Sequence, residues 1–443
     1  MTEVVACTEN HPLANGNVRL LGAVRQVTGA STRVEMDRAR IVVDCGLAQG
    51  REHGAFNAEM MICDALVLTH GHLDHIGHLP TMLERGFDKK VYATNATLEI
   101  ARISLEDSLH MQGASKHTID QFSERFEELS HAVGYDQPLH IAGVTLAMHE
   151  AGHILGSASA EIESEGSRVI VSGDLGRPAS PILRDYNTTW RSHKPIDLVV
   201  MESTYADREH THTHEQIQST LESILLHAIE RKSKVLVPSF AIGRTQSLLW
   251  FLNNLVEQRR IPDVPVFIDT PMGIAITETY EQWKRLFDKE SLDMLAKGDD
   301  PLDFHDLFMV QRGRDSERLH QMHGPMIIIA GSGMCTGGRI IGHLRDGLPE
   351  KDVVVLFVGY QAEGTPGRRI QNAAKDGGHV DIGGATVRVN ARIETLTGLS
   401  AHADRGELRK WLGHIPNVKR VALHHGEPDA QHAFAAAWAS SSA

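Results

Sequence analysis

His70-Gly71-His72-Leu73-Asp74-His75 puts four candidate metal ligands within six residues, directly after the apolar run Ala65-Leu66-Val67-Leu68. That run is short and bounded, and it reads as a buried strand. A loop leaving such a strand can gather several ligands in one place, because the strand holds its base rigid. Imidazole nitrogens with a carboxylate suit zinc or a similar first-row metal. Six consecutive residues cannot enclose one ion with four ligands in tetrahedral order. They can divide between two adjacent ions, with His70 and His72 on one and Asp74 and His75 on the other. A histidine-rich surface loop is the competing reading, and the strict H-x-H-x-D-H order argues against it.

At 443 residues the chain is too long for one ordinary core, so two domains are the default. No apolar run approaches the roughly 20 residues of a membrane-spanning helix. The opening Met1-Thr2-Glu3-Val4 carries no basic stretch followed by an apolar one. Neither a membrane partner nor a signal peptide is expected, and a cytoplasmic location is. Cys7, Cys45, Cys63 and Cys335 show no paired spacing, which fits a reduced compartment. With 57 acidic and 44 basic residues the net charge is −13, which argues against broad electrostatic binding of nucleic acid. A local site remains open, because divalent cations and a few arginines can reverse the field in a cleft. The chain holds 27 histidines, so a single histidine carries little weight.

Strand-like runs alternate with helical patterns. The strands are Ile41–Val43, Ala65–Leu68, Val169–Val171, Leu198–Met201, Val235–Val237, Val266–Ile268, Met326–Ala330 and Val353–Phe357. Helical spacing predicts helices over Ile217–Ile229 and Thr245–Val256. The fold class is therefore α/β. Ala435–Trp438 with Ser440–Ser442 reads as a last helix fraying into a tail. Asp44, His70, Asp174 and Glu202 each follow an apolar strand. Ligands at strand ends on one edge of a sheet can converge on one site.

Three later residues complete the candidate ligand set: His153 in Gly152-His153-Ile154-Leu155-Gly156-Ser157, Asp174 in Ser172-Gly173-Asp174-Leu175-Gly176, and His425 in Leu423-His424-His425-Gly426-Glu427. The glycine before Asp174 lets its backbone approach a metal closely. The assembled set is His70, His72, His153 and Asp174 on one metal, and Asp74, His75, Asp174 and His425 on the other. Two ions sharing a hydroxide, about 3.5–4 Å apart, form a hydrolytic centre. Asp44 is read either as the acceptor of a proton from a ligand imidazole or as a turn residue closing a strand.

These motifs, with Gly22-Ala23, Val27-Thr28-Gly29 and Asp44-Cys45-Gly46 at the start, resemble the metallo-β-lactamase superfamily. Further motifs resemble its β-CASP nucleases, the bacterial and archaeal relatives of the nuclease subunit of the cleavage and polyadenylation specificity factor. They are Glu202-Ser203-Thr204-Tyr205, Ser239–Gln246, Gly331–Arg339 followed by His343, Gly359–Thr365, and Leu399-Ser400-Ala401-His402-Ala403-Asp404. The resemblance implies an αββα sandwich over residues 1–206 and 391–443, interrupted by a β-CASP α/β domain over 207–390 that caps the metal site. It implies two Zn2+ per chain, with Mn2+ or Fe2+ as alternatives, and a metal-activated hydroxide as nucleophile. His402 would be the general acid, held protonated by Glu202, and His343 would bind the scissile phosphate. Asp74 joins these as a catalytic residue. Ser239, Arg244, Gly333 and Ser400 would contact substrate, with the amides at Gly243-Arg244-Thr245 forming an anion site. A proton donor near neutrality is what the leaving oxygen of a phosphodiester needs, and histidine fits.

The implied function is hydrolysis of single-stranded RNA, by endonucleolytic cleavage first and 5′-to-3′ exonucleolytic action second, with a homodimer as an assembly to consider. A thioesterase- or lactonase-like hydrolase would use the same metals but leaves Glu202, His343 and His402 without a task. A DNA nuclease is a further alternative, because contacts to a 2′-hydroxyl are not legible in sequence. An inactive partner subunit would be expected to lack ligands, whereas all seven positions are filled.

Overall fold

A computed structural model describes residues 2–48, 55–190 and 194–441. The chain divides into two compact units, one joining Met1–Glu209 to Ala401–Ala443 and the other formed by His210–Ser400. The first division falls three residues beyond the expected limit at 206 and the second ten beyond that at 390.

Two seven-stranded sheets form the first unit. One takes its strands in chain order: Asn10–Leu13, Gly16–Gly22, Ser31–Met36, Ala39–Val43, Ala65–Val67, Val91–Ala93 and Ser130–Ala132. The other runs, in spatial order, Glu3–Val5, Arg420–His424, Leu198–Glu202, Arg168–Val171, Ala158–Glu163, Val144–Glu150 and Leu139–Ile141. Side chains alternate between the faces of a strand. Val169, Val171, Leu198 and Val200 therefore meet Val18, Val34, Ile41 and Val67 in one apolar layer between the sheets. Their neighbours Ile170, Val199 and Met201 face outward onto Leu408, Trp411 and Phe434 of the helices Arg405–Gly413 and Pro428–Ser441. On the opposite side Val42 and Leu66 pack against Leu105, Phe122 and Phe126 of the helices Asn95–Met111 and Lys116–Leu129. The result is an αββα sandwich. Burial on both faces is why these strands read as unbroken apolar runs. Each fully buried side chain of this kind stabilises the fold by about 1.5–3 kcal/mol.

Strand direction sets where the chemistry can sit. Ala39–Val43 and Ala65–Val67 pair in parallel, and so do Arg168–Val171, Leu198–Glu202 and Arg420–His424. Parallel neighbours bring their carboxyl ends to the same edge of the sheet. Asp44, His70, Asp174, Glu202 and His425 all lie at such ends.

The second unit is built on a six-stranded, all-parallel sheet. Its order is Leu307–Met309, Val266–Ile268, Met326–Ala330, Lys234–Pro238, Val353–Phe357 and Arg392–Thr395. The predicted helices fall within His214–Glu230 and Arg244–Glu257. Thr213 starts the first with a reciprocal cap: its hydroxyl accepts from the Gln216 amide, and the Gln216 side chain accepts from the Thr213 amide. The last helix, Pro428–Ser441, runs through the serines expected to fray. Phe434 and, one turn later, Trp438 pack on the apolar cluster outside the sheet, their rings stacked with centroids 6.3 Å apart. Ser442 lies outside the described residues.

The loop after Arg168–Val171 is locked by backbone. Gly176 N donates to Ala151 O at 2.8 Å, and a Cβ on Gly176 would overlap the carbonyl of Gly152. Neither neighbour can swing aside. Gly176→Ala is expected to destabilise the protein by on the order of 3 kcal/mol, measured as a lower urea midpoint at unchanged m-value.

Candidate metal centre and active site

The metal-binding segment turns just after His72. The amides of His75 and Ile76 both donate to His72 O, at 2.9 and 3.1 Å, and open the short helix Leu73–Ile76. That turn sends His70 and His72 one way and Asp74 and His75 another.

His70 and His72 meet His153 and Asp174. His72 Nδ1 lies 3.1 Å from His70 Nε2 and 3.2 Å from His153 Nε2. Asp174 Oδ2 lies 3.5 Å from both of those Nε2 atoms. Asp74 and His75 meet His425: His425 Nε2 is 3.6 Å from Asp74 Oδ2. His75 Nε2 is 3.2 Å from the other Asp174 oxygen, Oδ1. Asp174 thus presents one oxygen to each group.

These separations test whether the residues suit a metal. Metal–ligand distances of about 2.0–2.1 Å place tetrahedral ligand atoms about 3.3–3.4 Å apart. The observed separations of 3.1–3.6 Å bracket that value. Moreover His75 Nε2, Asp174 Oδ1 and His425 Nε2 are buried without a hydrogen-bond partner. Buried polar atoms are rarely left so unless an ion or water satisfies them. The donor set fits bound divalent metal.

A second layer fixes the ring orientations. Asp44 Oδ2 accepts from His75 Nδ1 at 2.7 Å and from Thr69 Oγ1 at 2.8 Å, while Oδ1 accepts from Thr69 N at 2.8 Å. Thr69 Oγ1 in turn accepts from His70 Nδ1 at 3.1 Å. His153 Nδ1 donates to Ala401 O at 3.2 Å, and His425 Nδ1 lies 3.1 Å from Thr204 Oγ1. With one nitrogen of each ring tied, the other is turned inward as a lone-pair donor. Burial pushes the His70 and His153 imidazoles well below their ordinary range, toward the neutral form that ligates metal. The sequence contained no sign of Thr69 or Thr204, because a threonine beside a ligand is unremarkable until the rings are oriented.

His402 stands beside this centre. Gly176 and His402 form an isolated antiparallel bridge, and Ala403 N donates to Leu175 O at 2.8 Å. His402 Nδ1 donates to Glu202 Oε1 at 3.2 Å. Glu202 is itself clamped, its Oε1 accepting from Leu175 N at 2.7 Å and its Oε2 from Thr204 N at 3.2 Å. Burial alone lowers the His402 pKa, but the Glu202 carboxylate, helped by Asp174 and Asp74, outweighs it and carries the group to about 9. Bound cations would offset the two aspartates and bring that value back toward neutrality.

The remaining candidates belong to the second unit. Arg244 opens the helix Arg244–Glu257 and is half-buried. Gly333 lies beneath the Phe240 ring, and Ser400 is half-buried at the end of the unit. Two candidates for substrate contact are interior. Ser239 is fully buried, its hydroxyl 3.0 Å from Thr245 Oγ1. His343 is 2% exposed. Its Nε2 donates to Asp269 Oδ2 at 2.6 Å, and Asp269 also accepts from Ser316 and Arg339. Motif order says which residues belong to a loop; it does not say which side of the backbone each one faces.

Asp44→Asn would set an amide N–H against His75 Nδ1–H. The expected result is metal affinity lowered about 10–100-fold, read by titration with a competing chelator, with little change in secondary structure by circular dichroism.

Comparison with known proteins agrees with this geometry. The metallo-β-lactamase superfamily profile matches residues 25–239, the β-CASP domain profile residues 245–370, and the profile described as a Zn-dependent metallo-hydrolase RNA specificity domain residues 386–440. A protein named as a ribonuclease from Thermus thermophilus is 36% identical, over 92% of this chain and 92% of its own length. An RNase J-like protein from Methanocaldococcus jannaschii is 29% identical over 92% of this chain and 91% of its own. From the same organism, the transcription termination factor FttA is 28% identical over 93% of this chain and 67% of its own length. A crystal structure of a protein of unknown function from Enterococcus faecalis shares the fold at 11% identity, with a TM-score of 0.56 over 94% of this chain and 96% of that one. Ligand geometry, layer order and relatives agree: the chain belongs to the β-CASP family of the metallo-β-lactamase superfamily.

Proposed function

We propose that this protein is a metal-dependent ribonuclease that hydrolyses phosphodiester bonds of single-stranded RNA, with two Zn2+ per chain. The observation that carries this reading is the pair His402–Glu202 beside two groups of metal donors. A thioesterase or lactonase can use the metals but has no need of a carboxylate-held histidine next to them. Relatives named as a ribonuclease and as an RNase J-like protein support RNA as substrate.

His70, His72, His153 and Asp174 would hold one ion, and Asp74, His75, His425 and Asp174 the other. When bound, such a pair lowers the pKa of water and neutralises charge on a phosphate oxygen. The protein's own residues do the rest. Asp44 and Thr69 hold two of the ligand rings in the required tautomer. Glu202, fixed by the Leu175 and Thr204 amides, keeps a proton on His402 Nδ1. The transferable proton sits on the opposite nitrogen, Nε2, and passes to the leaving ribose oxygen as the P–O bond breaks. Arg244 and the helix start at Gly243-Arg244-Thr245 supply positive potential for phosphates. Ser239 and His343, both interior, contribute by holding their loops.

His402→Ala is expected to retain metal and lose about 10²–10⁴-fold in cleavage rate, measured on labelled single-stranded RNA with metal content determined in parallel. A wild-type rate in that variant removes the general-acid assignment. Metal removal by a chelator is expected to abolish cleavage, with activity restored by added Zn2+ or Mn2+. Substrates bearing 5′-phosphate, 5′-triphosphate or 5′-hydroxyl ends, beside a matched DNA, separate endonucleolytic from exonucleolytic action and RNA from DNA.

A further inference from the structure

Three loops of the second unit leave the carboxyl ends of three adjacent parallel strands. Residues 239–243 follow Lys234–Pro238, residues 331–339 follow Met326–Ala330, and residues 358–365 follow Val353–Phe357. In open parallel sheets this edge is where ligands bind. The helices Arg244–Glu257 and Pro366–Asp376 both begin at this edge and turn their amide-rich ends toward it.

Two aromatic rings are displayed there. Phe240 is 40% exposed and Tyr360 60% exposed. Exposed aromatic rings on a soluble surface are costly to hydrate, and loops that show them usually do so to bind something. These loops are not slack. Phe240 O accepts from Thr245 Oγ1 at 2.8 Å and Thr245 N at 3.2 Å. Gln361, 2% exposed, donates to Gly333 O at 2.9 Å, Gly359 O at 3.2 Å and Tyr360 O at 3.3 Å. One side chain thereby ties the Tyr360 loop to the glycine-rich loop. Glycine makes the fit possible. A Cβ on Gly333 would stand 2.6 Å from Phe240 Cδ2, and one on Gly359 would stand 3.7 Å from Phe240 Cε2. The Phe240 ring therefore lies across both loops, one residue from Tyr360. Arg368 covers one face of Tyr360, its guanidinium carbon 5.4 Å from the ring centroid.

Rigidly held rings combined with helix starts and an arginine match what a single strand offers: flat bases and regularly spaced phosphates. An apolar peptide would use the rings but not the positive ends of the helices. Resting on the ribonuclease reading above, we propose that Phe240 and Tyr360 are base-stacking residues that grip nucleobases of the single-stranded RNA substrate, with little regard to base identity. Every base has a π-face, so this surface binds strands rather than sequences.

The test uses the full-length metal-loaded protein and a fluorescein-labelled 12-nucleotide oligoadenylate, beside an analogue in which abasic sites replace alternate bases. Binding is read by fluorescence anisotropy and cleavage by gel. Phe240→Leu and Tyr360→Leu are each expected to raise Kd by about 5- to 150-fold, the range found for loss of one stacked base. Phe240→Trp should restore binding to near wild type, a recovery that a purely structural defect would not give. Wild type should prefer the intact strand over the abasic one, and the leucine variants should lose that preference. If wild type cleaves RNA yet the leucine variants bind as tightly as it does, or the abasic strand binds as well as the intact one, the stacking proposal fails and the ribonuclease reading stands. If wild type neither binds nor cleaves RNA, both fail. Unchanged melting temperature and metal content in the variants exclude misfolding as the cause of a loss.

Discussion

Everything at the metal centre depends on one buried carboxylate. Asp174 is 3% exposed, and burial by itself pushes its carboxyl up. The surrounding His425, His75 and His70 outweigh burial and hold it well below the usual carboxylate range. Its two oxygens face different groups of imidazoles. A buried charge that is not paired costs several kcal/mol, so this residue is tolerable only while its neighbours converge on it. The glycine before it has φ of 59° and lies against Thr69, where a Cβ on residue 173 would stand 2.7 Å from the Thr69 Cβ.

The sandwich explains how ligands so far apart in the chain can converge. Parallel strands from both sheets end at a common edge, and the apolar layer of Val169, Val171, Leu198 and Val200 against Val18, Val34, Ile41 and Val67 keeps the sheets in register. The second unit repeats the principle with an all-parallel sheet, again placing its loops at the carboxyl ends of strands. In both units the strands supply rigidity and the loops carry the candidate functional residues.

Much of this was legible in the residues, for physical reasons that differ by element. Strands buried on both faces announce themselves as apolar runs, so Met326–Ala330 and Val353–Phe357 were read correctly. Ala158–Glu163 and Val144–Glu150 were not, because they bury Glu161 and His149 on the face away from the apolar layer between the sheets. Those groups are tolerated through an ion-pair chain in which His149 meets Asp136 and Glu161, and Glu161 meets Arg168. The order of histidines and aspartates made a candidate ligand set readable, and the structure brings its seven side chains together in two groups. The inward facing of His343 and Ser239 was not readable, since it depends on Asp269 and Thr245, residues with no signal of their own. Phe240 and Tyr360 look like core residues in a string of letters; only their exposure separates them from Phe251 and Phe357.

The strand Arg420–His424 lies between Glu3–Val5 and Leu198–Glu202, pairing with both in parallel. It is made only after the whole of His210–Ser400 has been synthesised. Until it slots in, Glu3–Val5 has no strand to pair with and His425 is missing from its group. The seven candidate ligands therefore cannot gather until that late strand is in place. An enzyme directed at RNA thus holds its candidate metal site as a non-local assembly, complete only when the two separated stretches of the first unit meet.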